Sequence, residues 1–199
     1  MNTQTSNKII KGCNFSKESL IGGGYIDTKI CDDIIKYFNT NKNKAHQGVY
    51  SKTSYIGKVK DSLDIRILNT NLSEPFKSYR TELQNQLNIY KDIYKIDDYL
   101  HYFGLLHYNI QFYKKNQGYH AEHIENHGEG KYKDRCIVFM TYLNSLKDGG
   151  TIFRNQGITT VAEKGLTLFF PAYFTHIHKG QISSTSEKYI VTGWYSFEN

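Results

Sequence analysis

The chain has few cysteines, few arginines and no long apolar run, and each shortage excludes a class of protein. Its three cysteines, Cys13, Cys31 and Cys136, include no Cys-x-x-Cys pair, so a disulfide framework is not expected and a reducing compartment is favoured. Cys31 and Cys136 lie in apolar patterns, which predicts that both are core residues. No segment has the length of a membrane span or the apolar stretch of a signal peptide, so we predict a cytoplasmic protein without a membrane partner.

The positive charge comes almost entirely from lysine. The formal net charge is +6, yet there are only four arginines: Arg66, Arg80, Arg135 and Arg154. Proteins that bind nucleic acid usually carry a clustered basic stripe, often with arginine, whereas these lysines are scattered. A solvated surface is therefore the preferred interpretation. A nucleic-acid partner is disfavoured, and an acidic partner stays open.

Length and composition indicate one globular domain spanning residues 1–199. Hydrophobic residues make up 39% of the chain and charged residues 22%, which is enough apolar material for a core. Aromatic residues reach 15%, with 17 tyrosines, and this favours β-structure. We divide the domain into a flexible arm at 1–14, helical support and edge strands at 15–104, and a core at 105–199.

The first half of the chain predicts two helices. Gly22–Gly24 is expected to be a flexible turn, and Thr28 is expected to cap a helix with apolar residues at four-residue spacing. A second helix is expected from near Ser73, with Pro75 in its first turn. Its apolar stripe predicts core packing and consists of Phe76, Tyr79, Leu83, Leu87 and Tyr90.

From Leu105 onward the apolar pattern repeats every two residues, as in β-strands. Four strands are predicted, at Leu105–Tyr113, Arg135–Leu143, Gly165–Phe170 and Lys188–Phe197. Helices followed by a run of strands indicate an α+β fold, with a β-barrel or jelly roll supported by helices.

His123-Ile124-Glu125 is the motif with the clearest chemical meaning. Residues two apart on a strand point the same way, so His123 and Glu125 could face one ion. His176 and His178 compete to supply a third ligand. Two imidazoles and one carboxylate are the ligands of mononuclear non-haem Fe(II) sites. The motif alone is weak, because His120-Ala121-Glu122 is a second copy.

Lys188 shares one face of the last predicted strand with Ile190, Thr192 and Trp194. A lysine that points into a sheet core is costly unless it is paired. The alternating pattern alone leaves two orientations open, with Lys188 either pointing inward or exposed to solvent.

Six blocks between Tyr108 and Phe197 follow one another with specific spacing. They are Tyr113–Tyr119, Arg135–Asn144, Asp148–Phe153, Lys164–Pro171, His178, and Lys188–Tyr195. In order and spacing they resemble the 2-oxoglutarate- and Fe(II)-dependent dioxygenases of the prolyl hydroxylase type, especially the small forms of phages and bacteria. The first half of the chain resembles that family only loosely. The resemblance implies a double-stranded β-helix, or jelly-roll, core with two or more N-terminal helices. For a phage-encoded form it implies the host cytoplasm.

The resemblance also implies roles for individual residues. His123, Glu125 and His178 would be the iron ligands and the catalytic centre, leaving His176 as a supporting or rim residue. Lys188 would pair with the distal carboxylate of 2-oxoglutarate, to which Tyr142 would donate a hydrogen bond. Tyr113 would lie near the co-substrate or the iron. Lower-ranked supports are Arg135 and Trp194, and an apolar shell is expected from Phe169, Phe170 and Trp194.

The implied activity is hydroxylation of a C–H bond with Fe(II), 2-oxoglutarate and O2, and ascorbate stays open as a further reductant. The leading substrate is a peptidyl proline or another protein side chain. The alternatives are a free amino acid, another small molecule, a nucleobase, or a cupin-like metal-binding module without turnover. The family usually has aspartate where this chain has Glu125. The lid is expected at 48–62 and around Arg154–Gln156, and oligomeric state is not indicated.

Overall fold

The computed structural model describes residues 8–10, 15–48, 59–101 and 103–197. Apart from residues 8–10, the predicted arm at 1–14 lies outside the described residues, as do Cys13 and the middle of the predicted lid. The helices are α1 (Thr28–Thr40) and α2 (Phe76–Tyr94). The strands, in chain order, are β1 (Lys8–Ile10), β2 (Gly22–Tyr25), β3 (His46–Gln47), β4 (Leu63–Leu68), β5 (Phe103–Tyr113), β6 (Arg135–Tyr142), β7 (Thr151–Phe153), β8 (Ile158–Thr160), β9 (Leu166–Pro171), β10 (His178–Gly180) and β11 (Lys188–Phe197).

Within the described residues the strands form a large sheet and a small one. The large sheet has the order β2-β9-β6-β11-β5-β4-β3, and all of its pairs are antiparallel. The small sheet has the order β1-β8-β7-β10. Each of the four predicted strands is present, with ends that agree to within two residues. The predicted α+β arrangement of helices followed by strands is confirmed.

Both helices pack their apolar side on one face of the large sheet. Cys31, Ile34 and Phe38 are the buried residues of α1, and the five predicted stripe residues of α2 are all buried. Asp27, not Thr28, caps α1, because its carboxylate accepts a hydrogen bond from the Lys29 backbone N–H at 2.8 Å. Burying each large apolar side chain contributes about 1.5–3 kcal/mol, so this face anchors the domain.

The predicted flexible turn at Gly22–Gly24 is wrong, because these residues belong to β2 and pair with β9. Gly23 has φ +152°, and a Cβ there would lie 1.9 Å from the Thr167 carbonyl oxygen. The glycines therefore allow the backbone of β2 to approach β9 closely. Composition suggested a turn, and packing uses the same residues as an edge strand.

Alternate residues of the central strands face opposite sides of the large sheet. On β5, Tyr108, Ile110 and Phe112 join the helix-packed core, whereas Gln111 and Tyr113 line an open cleft on the other side. The predicted core positions of Cys31 and Cys136 are confirmed, and both are free thiols. Among the described residues, no helix is long and apolar enough to cross a membrane.

Candidate active site

Two histidines from distant parts of the chain are joined through their backbones at the cleft. The His123 N–H donates to the His178 carbonyl at 2.9 Å, and the His178 N–H donates back to the His123 carbonyl at 3.0 Å. His178 begins β10, whereas His123 lies in the irregular segment before β6. This antiparallel bridge brings the imidazole rings to a centroid separation of 4.3 Å.

The hydrogen bonds of each imidazole determine which ring nitrogen is free. His123 Nδ1 lies 3.1 Å from the Ala121 carbonyl oxygen, and His178 Nδ1 lies 2.9 Å from the His176 carbonyl oxygen. A carbonyl oxygen only accepts, so both Nδ1 atoms carry the proton. In the neutral imidazole that a metal binds, this leaves the lone pair on Nε2, and a carbonyl partner on the other ring nitrogen commonly orients metal-binding histidines.

Glu125 supplies an oxygen between the two free nitrogens. Its Oε1 lies 3.5 Å from His123 Nε2 and 3.9 Å from His178 Nε2. Burial alone would raise the pKa of the Glu125 carboxyl, but His123, Arg135 and His178 hold the pKa well below its usual range. Burial, with the nearby His123, lowers the pKa of His178 to about 3. The acid is therefore ionised and His178 neutral at physiological pH, as metal ligands must be.

The alternative ligands from the sequence lie elsewhere. His120 Nε2 bonds Asp61 at 3.2 Å, and Glu122 pairs with Arg154. His176 is fully buried rather than at a rim. Its Nε2 bonds the Ser19 carbonyl, and its own carbonyl holds His178. Among the residues that the structure describes, one group of histidine, cysteine and acidic side chains could hold a metal: His123, Glu125 and His178.

The donor atoms of this group fit a divalent ion of the iron type. They all lie within 4.8 Å of one another. Two imidazoles and one carboxylate occupy one side of an ion and leave coordination positions for other molecules. Phe153 and Phe170 pack against the His178 ring at centroid distances of 5.7 and 4.9 Å. This apolar wall shields one side of the site from water. Phe169, predicted in the same shell, instead faces the helix side and stacks on Tyr90.

Lys188 points into the cleft, which decides between the two orientations that the pattern left open. The residue is only 4% exposed, and its Nζ donates to the Gln181 carbonyl at 2.8 Å. The ammonium also lies 5.1 Å from the centre of the Tyr113 ring. No carboxylate forms a salt bridge with it among the described residues. Burial lowers the pKa of Lys188 to about 8 and outweighs the opposite effect of Asp148. The cleft therefore contains a buried cation that no salt bridge within the described residues neutralises.

Two buried tyrosines, Tyr113 and Tyr142, line the same cleft as Lys188, and their hydroxyl groups are already engaged. The Tyr113 hydroxyl donates to Gln111 Oε1 at 2.8 Å, and Gln111 in turn contacts the Lys60–Asp64 ion pair. The Tyr142 hydroxyl lies 2.7 Å from Thr151 Oγ1 and 2.8 Å from Thr160 Oγ1. Burial raises the pKa of Tyr142 to about 12, so its hydroxyl stays protonated and able to donate.

One cleft is lined by Lys188 and by the metal-type group, which consists of His123, Glu125 and His178. Its volume is about 1670 Å³, and its walls come from β4, β5, β6, β10 and β11 with the segment around His123. Pockets for a single small molecule are usually about 300–1,000 Å³, so this cleft has room for a small co-substrate and part of a larger molecule.

Sequence reasoning missed three contacts at this site. The Tyr119 ring stacks on the His123 ring at a centroid distance of 3.7 Å. The Arg135 guanidinium donates to Glu125 Oε2 at 2.9 Å and lies 3.6 Å from the centre of the Trp194 ring. The family resemblance implies supporting roles for Arg135 and Trp194, but no local pattern shows that Arg135 contacts Glu125.

Residues 108–196 match the model of the 2OG-Fe(II) oxygenase superfamily. A search of curated protein sequences gave no match. The matched segment contains all three donor residues and Lys188. It is therefore an oxygenase domain whose chemistry uses Fe(II), 2-oxoglutarate and O2, and the chain is a 2-oxoglutarate-dependent dioxygenase.

Several solved structures with similar folds are prolyl hydroxylases. A viral collagen prolyl hydroxylase of Paramecium bursaria Chlorella virus-1, solved with 2-oxoglutarate, has 18% identity and a TM-score of 0.68, over 89% of this chain and 95% of that one. A Pseudomonas putida prolyl-4-hydroxylase has 13% identity and a TM-score of 0.65, over 90% and 92%.

A third similar structure is a Trichoplax adhaerens prolyl hydroxylase in complex with a peptide fragment of the hypoxia inducible factor oxygen degradation domain. It has 14% identity and a TM-score of 0.67, over 88% of this chain and 82% of that chain. These likenesses cover both halves of the chain, including the region that resembled the family only loosely by sequence. The predicted jelly-roll fold with N-terminal helices, and the resemblance to prolyl hydroxylase-like oxygenases, are confirmed.

Proposed function

We propose that this oxygenase hydroxylates a prolyl residue, or another side chain, within a peptide or protein. His123, Glu125 and His178 hold the iron, and Lys188 binds the distal carboxylate of 2-oxoglutarate. The observation that carries the proposal is the convergence of three donor atoms within 4.8 Å, in the same cleft as a buried lysine that forms no salt bridge with the residues that the structure describes.

The protein contributes position and charge to the reaction. When bound, Fe(II) with 2-oxoglutarate and O2 supplies the oxidation: one oxygen atom enters the substrate C–H bond as hydroxyl, and the other enters succinate as carbon dioxide leaves. His123 and His178 present lone pairs because backbone carbonyls hold their Nδ1 protons. Glu125 supplies the negative charge, and Phe153 and Phe170 exclude water from one side.

A dicarboxylic co-substrate fits the part of the cleft that is lined by Lys188, Tyr142 and Tyr113. Lys188 offers a compact buried cation, and a carboxylate beside it would restore its pKa and satisfy its charge. Tyr142 would donate a hydrogen bond to the same carboxylate; in its absence the Tyr142 hydroxyl is hydrogen-bonded with the Thr151 and Thr160 hydroxyls. Tyr113 borders the Lys188 ammonium and lies at the same end of the cleft.

A peptide substrate is favoured by the size of the cleft and by the structural neighbours. The cleft, at about 1670 Å³, exceeds what a five-carbon diacid and a free amino acid need. The similar Trichoplax adhaerens enzyme was solved with a peptide bound. Because these neighbours share less than a fifth of their residues with this chain, the substrate is the proposed part of the function.

The test is to measure succinate formation by the purified chain with Fe(II), 2-oxoglutarate and candidate substrates. We expect proline-containing peptides to stimulate succinate release, and we expect a mass gain of one oxygen atom on proline. Matched peptides with alanine in place of proline are the control. Free amino acids and oligonucleotides form the comparison arms.

Stimulation by free proline or an oligonucleotide, with none by peptides, would contradict the peptide assignment. Failure to release succinate with any substrate, in a chain that binds Mn(II), would support the module without turnover instead.

A further inference from the structure

Arg135 contacts Glu125 through both its carboxylate and its backbone. Arg135 Nη1 donates to Glu125 Oε2 at 2.9 Å and to the Glu125 carbonyl oxygen at 3.2 Å. The two side chains are only 13% and 15% exposed, so water screens the pair weakly. A charge-assisted hydrogen bond in such a place is stronger than an exposed ion pair.

The guanidinium is itself held between two aromatic rings. Its central carbon lies 3.6 Å from the centre of the Trp194 ring and 4.5 Å from the centre of the Tyr132 ring. Arginine stacks on aromatic faces because its cation is planar and weakly hydrated. Arg135 begins β6, and Trp194 lies on the neighbouring β11, so two adjacent strands fix the position of the cation.

Because of these contacts, the two carboxylate oxygens of Glu125 have different partners. Oε1 faces the free Nε2 atoms of both histidines, at 3.5 and 3.9 Å, whereas Oε2 is engaged by Arg135. A glutamate has one more rotatable bond than an aspartate, so its carboxylate needs a restraint to present one oxygen in one place.

We propose that Arg135 is the positioning residue of this metal site and restricts Glu125 to a one-oxygen ligand. The inference rests on the proposed function, because it takes His123, Glu125 and His178 to be the metal ligands. It adds a reason why a glutamate works at this position: the arginine fixes the longer side chain and compensates part of its charge.

Metal affinity without 2-oxoglutarate or substrate provides the test. We expect Arg135→Gln to weaken Mn(II) binding by about 10–100-fold, the usual effect of removing a group that orients a metal ligand. Calorimetry or Mn(II) electron paramagnetic resonance gives the dissociation constant. Arg154→Gln is the matched control, because it removes an exposed Arg–Glu pair near the same motif, at 3.0 Å, and should leave affinity unchanged.

A double-mutant cycle shows whether the effect passes through Glu125. Glu125→Asp withdraws the carboxylate from Arg135, so Arg135→Gln should lose most of its effect in the Asp background. The visible spectrum of bound Co(II), which reports coordination number, should change in Arg135→Gln and not in Arg154→Gln. A purely structural role for Arg135 would lower stability without changing this spectrum.

The outcomes separate this inference from the proposed site. If His123→Ala abolishes Mn(II) binding and folded Arg135→Gln binds as well as the parent, the inference fails and the site stands. If His123→Ala binds Mn(II) normally, the site and the inference both fail. Should Arg135→Gln not fold, Arg135→Met decides, since it keeps an unbranched side chain and loses the charge and the hydrogen bond; an affinity within about twofold of the parent would overturn the proposal.

Discussion

The two faces of the large sheet are built by the same strands and differ in almost every other respect. On the helix side, Phe112 packs against Phe38 and Tyr189 with ring centroids 5.6 and 4.7 Å apart. On the cleft side, Gln111 next to Phe112 and Lys188 on the adjacent β11 carry polar groups that are buried. One face therefore supplies stability, and the other holds charge that costs stability and serves binding.

The largest expected effect is on the cleft face, at the metal-type group. His123→Ala should abolish succinate formation, because it removes one of three donors, while circular dichroism shows the fold retained. His120→Ala is the matched control, since His120 belongs to the second copy of the motif and bonds Asp61 instead. Loss of activity in His120→Ala with none in His123→Ala would reverse the assignment.

On the helix face, Phe112→Ala should reduce the free energy of unfolding by about 3–5 kcal/mol, because it leaves a cavity beside Phe38 and Tyr189. Denaturant unfolding measures this loss. The affinity of the folded protein for 2-oxoglutarate should stay the same, because the side chain points away from the cleft. An equal loss of affinity would show that the two faces are coupled.

Lys188→Met should weaken 2-oxoglutarate binding by about 2–5 kcal/mol, the usual cost of removing one partner of a buried charge pair. Titration of the Mn(II)-loaded protein measures it. The same change should leave stability equal or higher, because the free protein no longer buries an unpaired ammonium. Unchanged affinity for 2-oxoglutarate would refute the co-substrate assignment.

The smallest expected effect is the pH dependence of that affinity. Lys188 must be protonated to bind a carboxylate, so affinity should fall as pH rises above about 8, by up to about tenfold per unit. For stability the sign is opposite: between about pH 8 and the ordinary lysine pKa the unfolded chain binds more protons, so the contribution of Lys188 to stability rises with pH. Lys188→Met should remove both dependences; their persistence in that variant would assign them to another group.

The secondary structure followed closely from the sequence, and its failures have physical causes. The α2 stripe and the four main strands were predictable because side-chain periodicity is local. Gly22–Gly24 was misassigned because the need for glycine comes from the Thr167 backbone on another strand. The prediction that Phe169 belongs to the apolar shell of the site was wrong. Adjacent residues of a strand point to opposite faces of the sheet, so Phe170 faces the cleft and Phe169 faces the helices. The predicted lid and the role of each site residue stay predictions.

By itself, the sequence determined the types of ligand, the alternating pattern and the resemblance to one enzyme family, because these depend on residue identity and on spacing along the chain. The tertiary structure decided what the residue pattern had left open: His178 rather than His176 meets His123, Lys188 turns inward, and Arg135 engages Glu125. Those choices depend on how β6, β10 and β11 are brought together. Such long-range pairing is fixed by the packing of the whole sheet and not by any single segment.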